Sequence, residues 1–301
     1  MKDYEVIIIG AGPAGLLAAM ECKKQGLKNL LVIEKNVVIG GMLNSADYKV
    51  FRNSDKTGKE YSKELIKEFE ASGIETKLNT MVLNISPEGK VICTNSEHGV
   101  QALQARKILI ANGGKEKGRA PLNMAGDRVS GTYSLATAKM IVSEPDLCLG
   151  KTIAIYGTEH LDTIESLFIS KGIKVSVIIN PKNNAFSFTP ASDALIYNGY
   201  DIKEIRGEGR LERLVLQKDF ETVDVRCDTL LFASGWLSDG IVPMRSGIVL
   251  NPETTGAKVD KNYQTSRSDI FASGNGIYIH EAMEDIIEEA VKVAAAIKAS
   301  F

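Results

Sequence analysis

Residues 10–15 read Gly-Ala-Gly-Pro-Ala-Gly and stand between an apolar run over residues 4–9, interrupted only at Glu5, and a stretch of small residues over 14–25. A G-x-G-x-x-G loop directly after a strand and opening a helix assigns each glycine a physical task. Gly10 permits a tight turn, Gly12 removes a side chain so that the backbone can approach a pyrophosphate, and Gly15 lets the helix pack close to the sheet. Pro13 and Ala14 continue the loop into the first helical turn, where unpaired N–H groups and the positive helix end face the phosphates. A second apolar run over 30–33 leads into Glu34, about 20 residues beyond the loop. A carboxylate there accepts two hydrogen bonds from an adenosine ribose and disfavours a 2′-phosphate. Strand, helix and acid together specify a βαβ unit with a buried parallel sheet that holds a dinucleotide.

The rest of the chain repeats and extends this plan. Residues 58–72 place Tyr61, Leu65, Ile66 and Phe69 on one helical face, and Gly73 stops the helix. Short strands are expected over 80–85, 91–94 and 107–111, followed by a turn-rich stretch over 113–150 with one helix over 134–142. A second βαβ then reads as strand 152–156, helix 161–171 and strand 174–179. Strands over 211–217, 223–227 and 229–233 accompany a turn at Gly207-Glu208-Gly209. The chain closes with a strand over 269–272 and a long helix beginning at His280. The expected fold is α/β, with two Rossmann-like dinucleotide-binding domains, the second inserted into the first. The first comprises 1–114 and 242–301, and the degenerate second comprises 115–241.

A chain of 301 residues with 44% hydrophobic content can fill two moderate cores. A formal net charge of -2 gives no broad basic surface, which removes the electrostatic case for binding nucleic acid or an anionic membrane and leaves small molecules and proteins as partners. No apolar run is long enough to span a bilayer, and a strand starting almost at Met1 leaves no room for a cleaved leader, so a cytoplasmic location is expected. The cysteines, Cys22, Cys93, Cys148 and Cys227, lie far apart, with no Cys-x-x-Cys and no Cys/His cluster of metal spacing. No metal site is expected.

Three further segments separate the cofactor classes: Gly40-Gly41-Met42-Leu43, the strand end Ile108-Leu109-Ile110-Ala111-Asn112-Gly113-Gly114, and Ile270-Phe271-Ala272-Ser273-Gly274-Asn275. With them the chain resembles the low-molecular-weight thioredoxin reductase-like flavoproteins over essentially its whole length. It is more similar still to the small FAD subunits found with glycerol-3-phosphate, hydroxyproline and opine-type dehydrogenases, through residues 57–61, 79–83 and 274–281. The resemblance implies FAD as cofactor. Gly10, Gly12, Pro13, Ala14 and Gly15 would hold its pyrophosphate and Glu34, beside Lys35, its ribose. Gly41, Met42 and Leu43 would approach the flavin side, Val82 the adenine, and Ala111, Asn112 and Gly113 the middle of the cofactor. Gly274 and Asn275 match the family's Gly-Asp, with an amide in place of the usual carboxylate. His280, Glu281 and Ala282 stand where the family aims a helix N-terminus at the flavin. His280 either adds positive charge there or is a satisfied surface group.

Two expected parts are missing. Thioredoxin reductases carry a Cys-x-x-Cys in the second domain, whereas residues 131–149 hold only Cys148, which has no resolving thiol beside it. The second glycine loop reads Gly157-Thr158-Glu159-His160-Leu161-Asp162, with acids in the second and third glycine positions. At about 5 Å and an effective dielectric of about 20, each carboxylate facing a phosphate costs on the order of 3 kcal/mol, roughly a hundredfold in affinity. In the simplest account Thr158 caps a helix and Glu159 with Asp162 complements its positive end, so no NAD(P)H is expected.

The reading is an FAD-dependent oxidoreductase, an electron-transfer flavoprotein working with a protein redox partner or dehydrogenase subunit, and not a thioredoxin reductase. A self-sufficient NAD(P)H:acceptor oxidoreductase and a non-catalytic flavin-bearing scaffold are the rivals. A homo-oligomer is compatible with the sequence. The flavin itself carries the chemistry, and no catalytic side chain is assigned beyond His280.

Overall fold

In the computed structural model, which describes residues 3–301, the first apolar run is strand β1 (Asp3–Ile9), fully covered at Val6, Ile7 and Ile8. The small residues that follow form α1 (Pro13–Lys24), which has Gly12 as its N-cap residue and proline in its first turn. Its alanines, with Gly15, Leu16, Met20 and Cys22, are buried, so α1 is a core helix. Next come β2 (Leu30–Ile33) and α2 (Gly58–Ser72). Thr57 and Glu60 cap α2 reciprocally, and Gly73 ends it in the left-handed conformation. Strands β3 (Glu75–Lys77), β4 (Met81–Ile85), β5 (Lys90–Asn95) and β6 (Gly99–Ile110) complete the N-terminal part.

The sheet order is β3-β2-β1-β6-β5-β4, and the late strand Ile270–Ala272 also pairs with β6. β6 serves two sheet regions in sequence. Its first half runs antiparallel to β5, while its second half, Lys107–Ile110, runs parallel to β1. A parallel nucleotide-type sheet thus carries an antiparallel meander on one side. The C-terminal helix, Met283–Ala299, presses Ile286, Ala290, Val293, Ala294 and Ile297 into the core that α1 and β1 share.

The chain divides into two compact units, Met1–Lys115 with Leu237–Phe301, and Glu116–Trp236; the sequence reading set the insert at 115–241. The second unit has its own five-stranded parallel sheet. Its order is Leu195–Asn198, Val177–Asn180, Ile153–Tyr156, Thr229–Phe232 and Thr132–Ser134. An antiparallel sheet of Asp201–Arg206, Arg213–Lys218 and Glu221–Arg226 packs on it through Ile202, Ile205, Leu214 and Leu216.

The strands Leu195–Asn198 and Asp201–Arg206 have no counterpart in the sequence reading. The first is an edge strand with Leu195 and Ile196 exposed, so it lacks a buried run. In the second, a bulge between Ile202 and Glu204 brings Ile202 and Ile205 to one face although they are three apart, which erases the period of two.

All four cysteines are free, and only Cys148 is exposed. Burial pushes the Cys22 and Cys227 thiols up to about 12, which leaves them protonated and unreactive at neutral pH. Among the described residues no helix is long and apolar enough to cross a membrane, and no cluster of His, Cys, Asp and Glu could hold a metal ion.

Candidate functional site

Gly10 leaves β1 with φ 107°, and a side chain there would stand 2.3 Å from the Ala111 carbonyl oxygen. Only glycine allows β1 and β6 to end side by side in this way. Gly15 is as tightly placed, with the Gly10 carbonyl oxygen 2.0 Å from where its Cβ would lie. Gly12 is the opposite case: nothing lies within 4 Å of its missing Cβ, and it opens onto a cavity of about 500 Å³ within the first unit. That volume lies in the range of roughly 300–1,000 Å³ usual for small-molecule and cofactor sites.

The cavity is lined by Gly10, Gly12, Pro13, Ala14, Glu34, Lys35, Gly41, Met42, Leu43, Ala111, Asn112, Gly113, Asn275, His280, Glu281 and Ala282, all expected from the sequence. Three expected residues stay outside the lining. Gly15 packs on Gly10, and Gly274 packs on Ala14, whose Cβ is 2.5 Å from where a Gly274 side chain would start. Val82 is buried with Ile85, Val91 and Cys93. Asn36, Ala46, Tyr48, Lys49, Val50, Gly114, Met283 and Ile286 also line the cavity and were not foreseen.

Glu34 is buried, and its two carboxylate oxygens accept from the Ala11 and Asn36 N–H groups at 2.8 and 2.9 Å. The acid therefore braces the glycine loop and keeps a second lone pair on each oxygen for a ribose hydroxyl. The loop from 41 to 57 reaches the cavity because both its ends are tied down. Asn44 donates to the Ile39 carbonyl at 2.8 Å and accepts from Ser62 at 2.6 Å. At the other end Arg52 pairs with Asp285, and its N–H donates to Glu284 at 3.0 Å, which holds the loop against the start of the C-terminal helix. These two ties place Tyr48, Lys49 and Val50 at the cavity.

The C-terminal helix starts at Met283, not at His280 as the sequence reading has it. Ala282 is extended, the Met283 N–H donates to the Val50 carbonyl at 2.9 Å, and the His280 N–H is taken by Asn275 Oδ1 at 3.0 Å. Nor is His280 a surface group: its side chain is 1% exposed, with Nδ1 3.0 Å from Asn275 Oδ1 and Nε2 3.2 Å from Glu289 Oε2. Asn112 donates to the Asp239 carbonyl at 2.7 Å, while its Oδ1 is buried without a partner. A buried acceptor of this kind is costly unless a ligand donor meets it.

An FAD fits these residues. The space at Gly12, the first-turn N–H groups of α1, the free lone pairs of Glu34 and the orphan oxygen of Asn112 match a pyrophosphate, a ribose and a donor group in turn.

The second unit repeats the first turn and then closes it. A side chain on Gly157 would stand 2.2 Å from the Ala233 carbonyl oxygen, the counterpart of Gly10 against Ala111. Beyond that point Glu159 pairs with Lys182, and a side chain at Gly235 would meet Glu159 Oε2 at 2.0 Å. The remaining cavity is about 110 Å³. The helix here, Asp162–Ser170, has Leu161 as its N-cap without a side-chain cap. Thr158 bonds Asn184 at 3.1 Å, so it is not the cap expected of it. Of the two acids, only Asp162 lies in the first helical turn. Glu159 is drawn away because Lys182, on the loop after the next strand, offers a full positive charge where the helix end offers a partial one.

A glycine-rich strand-to-helix turn over an open cavity, paired with a second nucleotide-type unit, defines a flavin-dependent oxidoreductase of the two-dinucleotide-domain class. The chain belongs to the pyridine nucleotide-disulphide oxidoreductase family, whose model matches residues 4–158. It is 26% identical over 163 residues to an opine oxidase subunit of Rhizobium meliloti, a match covering 54% of this chain and 35% of that protein. The chain thus corresponds to about a third of that relative's length. It is 24% identical over 287 residues to thioredoxin reductase of Listeria innocua, covering 91% of this chain and 86% of the reductase. Among solved structures, L-proline dehydrogenase from P. horikoshii superposes over 100% of this chain and 56% of its own, with a TM-score of 0.72 and 19% identity. That likeness is one of fold.

Proposed function

We propose that the chain binds FAD in the cavity of its first unit and passes electrons between that flavin and a protein partner, as one subunit of an oxidoreductase assembly. The observation that carries this reading is the contrast between the two glycine loops. One opens at Gly12 onto about 500 Å³, and the other is filled by the Glu159–Lys182 pair and leaves about 110 Å³. With FAD in the first cavity and side chains standing in the second loop, the flavin would exchange electrons with a protein partner and not with a nicotinamide dinucleotide. The cysteines offer no alternative, since Cys148 is the one exposed thiol and Cys22, Cys93 and Cys227 are buried; a dithiol relay of the thioredoxin reductase kind has no second sulfur. The kinship with a protein described as part of an oxidase supports the same assignment.

When bound, FAD supplies a centre that accepts an electron pair and releases it in one or two steps. The chain's own residues bind and orient it. The α1 N-terminus would hold the pyrophosphate and Glu34 the ribose, with Asn112 and Asn275 offering amides along the cavity. The test is purification from the native host without overexpression, followed by anaerobic addition of candidate substrates of the co-purifying protein. Bleaching of the flavin by a substrate of the partner, with none for the isolated chain, is expected. A chain that purifies alone and whose flavin NADH reduces at a catalytic rate would contradict the proposal.

A further inference from the structure

The strand Leu195–Asn198 ends the five-stranded sheet of the second unit and pairs on one side only, with Val177–Asn180. Leu195 is 64% exposed and Ile196 49%, and since neighbours on a strand point to opposite faces, both faces of this edge are open to water. Sheet edges elsewhere in the chain are guarded. β3 carries Glu75 and Lys77, β4 has a bulge between Val82 and Asn84, and Glu221–Arg226 carries Glu221, Asp224 and Arg226. Leu195–Asn198 has no charge, no proline and no bulge, and an edge of that kind is a template for another strand.

The main-chain groups of this edge select its occupant. The Leu195 N–H donates to the Ser176 carbonyl at 3.0 Å and the Gly199 N–H to that of Asn180 at 2.8 Å, so the odd-numbered residues turn their groups inward. Ile196 and Asn198 turn theirs outward, where no strand lies among the described residues. The Asn198 carbonyl accepts from Lys218 Nζ at 3.1 Å, and the neighbouring Ala194 N–H donates to the Ala191 carbonyl at 2.9 Å. That leaves the N–H and C=O of Ile196 open at the middle of the edge. An antiparallel partner closes both with a residue that offers the same two groups, and Ile196 of a second copy, related by a two-fold axis, is such a residue. This register sets Leu195 against Tyr197 of the copy, in a pair without mutual hydrogen bonds, where side chains come closest. A two-fold axis at Tyr197 would instead need the Asn198 carbonyl, which Lys218 already occupies. With the axis at Ile196, Lys218 stands beside the copy's exposed Asp193, so the charges at the two ends of the pairing are complementary.

We propose that two copies of this chain pair antiparallel through Leu195–Asn198, with the two-fold axis at Ile196, and so join two five-stranded sheets into one of ten strands. The contact involves the second unit alone and does not depend on bound FAD.

The test is sedimentation of the full chain at micromolar concentrations, where the mass of two chains is expected, with the Ile196 amide protected from hydrogen exchange. Ile196→Pro removes only an outward N–H, which a strand edge tolerates, and is expected to raise the dimer dissociation constant about a hundredfold, one donor being lost from each copy. Leu195→Lys, at a position already exposed, is expected to weaken the dimer as well, and thermal unfolding of both variants checks that the fold is kept. Lys218→Glu sets two acids against each other at both ends and is expected to weaken the dimer about tenfold, and adding Asp193→Lys is expected to recover most of that loss. Recovery by the second charge reversal identifies the copy as the occupant. A single-chain mass at high micromolar concentration would overturn the proposal, even if a different protein bound this edge. A dimer that Ile196→Pro and Leu195→Lys leave unchanged would overturn it too, since its contact would lie elsewhere.

Discussion

Replacing Gly12 by leucine is expected to give a folded chain that has lost its FAD. Nothing lies within 4 Å of the missing Cβ, so the new side chain meets no protein atom at its root and extends into the space open to the pyrophosphate. Hydrogen bonds from N–H groups to a charged acceptor are each worth about 1.5–3 kcal/mol, so losing two of them amounts to about 4 kcal/mol, roughly a thousandfold in affinity. The cost to the fold is confined to a poorer N-cap residue on α1, about 1 kcal/mol. Gly15→Ala is the control, because its Cβ would stand 2.0 Å from a backbone oxygen and should destabilise the fold itself. Flavin content and thermal unfolding of the two variants separate the cases. A Gly12→Leu chain that retains stoichiometric FAD would place the pyrophosphate elsewhere.

NADH and NADPH are each expected to leave the bound flavin oxidised over minutes under anaerobic conditions, while dithionite bleaches it fully. The structure changes the physical reason behind this expectation. Two unpaired carboxylates facing two phosphates would act by repulsion, but Lys182 neutralises much of the Glu159 charge, and that pair is partly exposed and screened. What remains is occupancy. The Glu159 carboxylate lies over Gly235, and the helix opens with Asp162 in place of a glycine. Changing Glu159 and Asp162 together to glycine clears the loop and frees Lys182 for a phosphate, so NADH binding is expected to tighten by about tenfold, about 1.4 kcal/mol. Hydride transfer need not follow, since it demands a near-attack geometry that binding alone does not create. Rapid bleaching of the unmodified chain by NADH or NADPH would favour a self-sufficient NAD(P)H oxidoreductase.

The parts of the site that were legible in the sequence are those whose function imposes a backbone conformation. Gly10, Gly12 and Gly15 serve three different steric needs at fixed spacing, and the run into Glu34 follows from a buried parallel strand. Tyr48, Lys49 and Val50 were not legible because a loop with no period of its own carries them to the cavity. Contacts distant in sequence hold that loop, the Arg52–Asp285 pair among them. His280 was misplaced because a histidine before a helical pattern reads as its start, whereas its N–H donates to the Asn275 side chain and the helix begins only at Met283.

One signal for the buried His280–Glu289 contact was present. On the C-terminal helix, Ile286, Glu289, Ala290, Val293, Ala294 and Ile297 share the buried face, and an acid within an apolar stripe implies a partner inside the protein. The strand Asp201–Arg206 was lost for the converse reason, a bulge that breaks the period from which strands are recognised.

Flavin content tests the FAD assignment most directly. Protein purified under mild conditions, or reconstituted with the free cofactor, is expected to be yellow and to release one FAD per chain on denaturation, counted by absorbance against protein concentration. Colourless protein that takes up no FAD on reconstitution would contradict FAD binding by this chain.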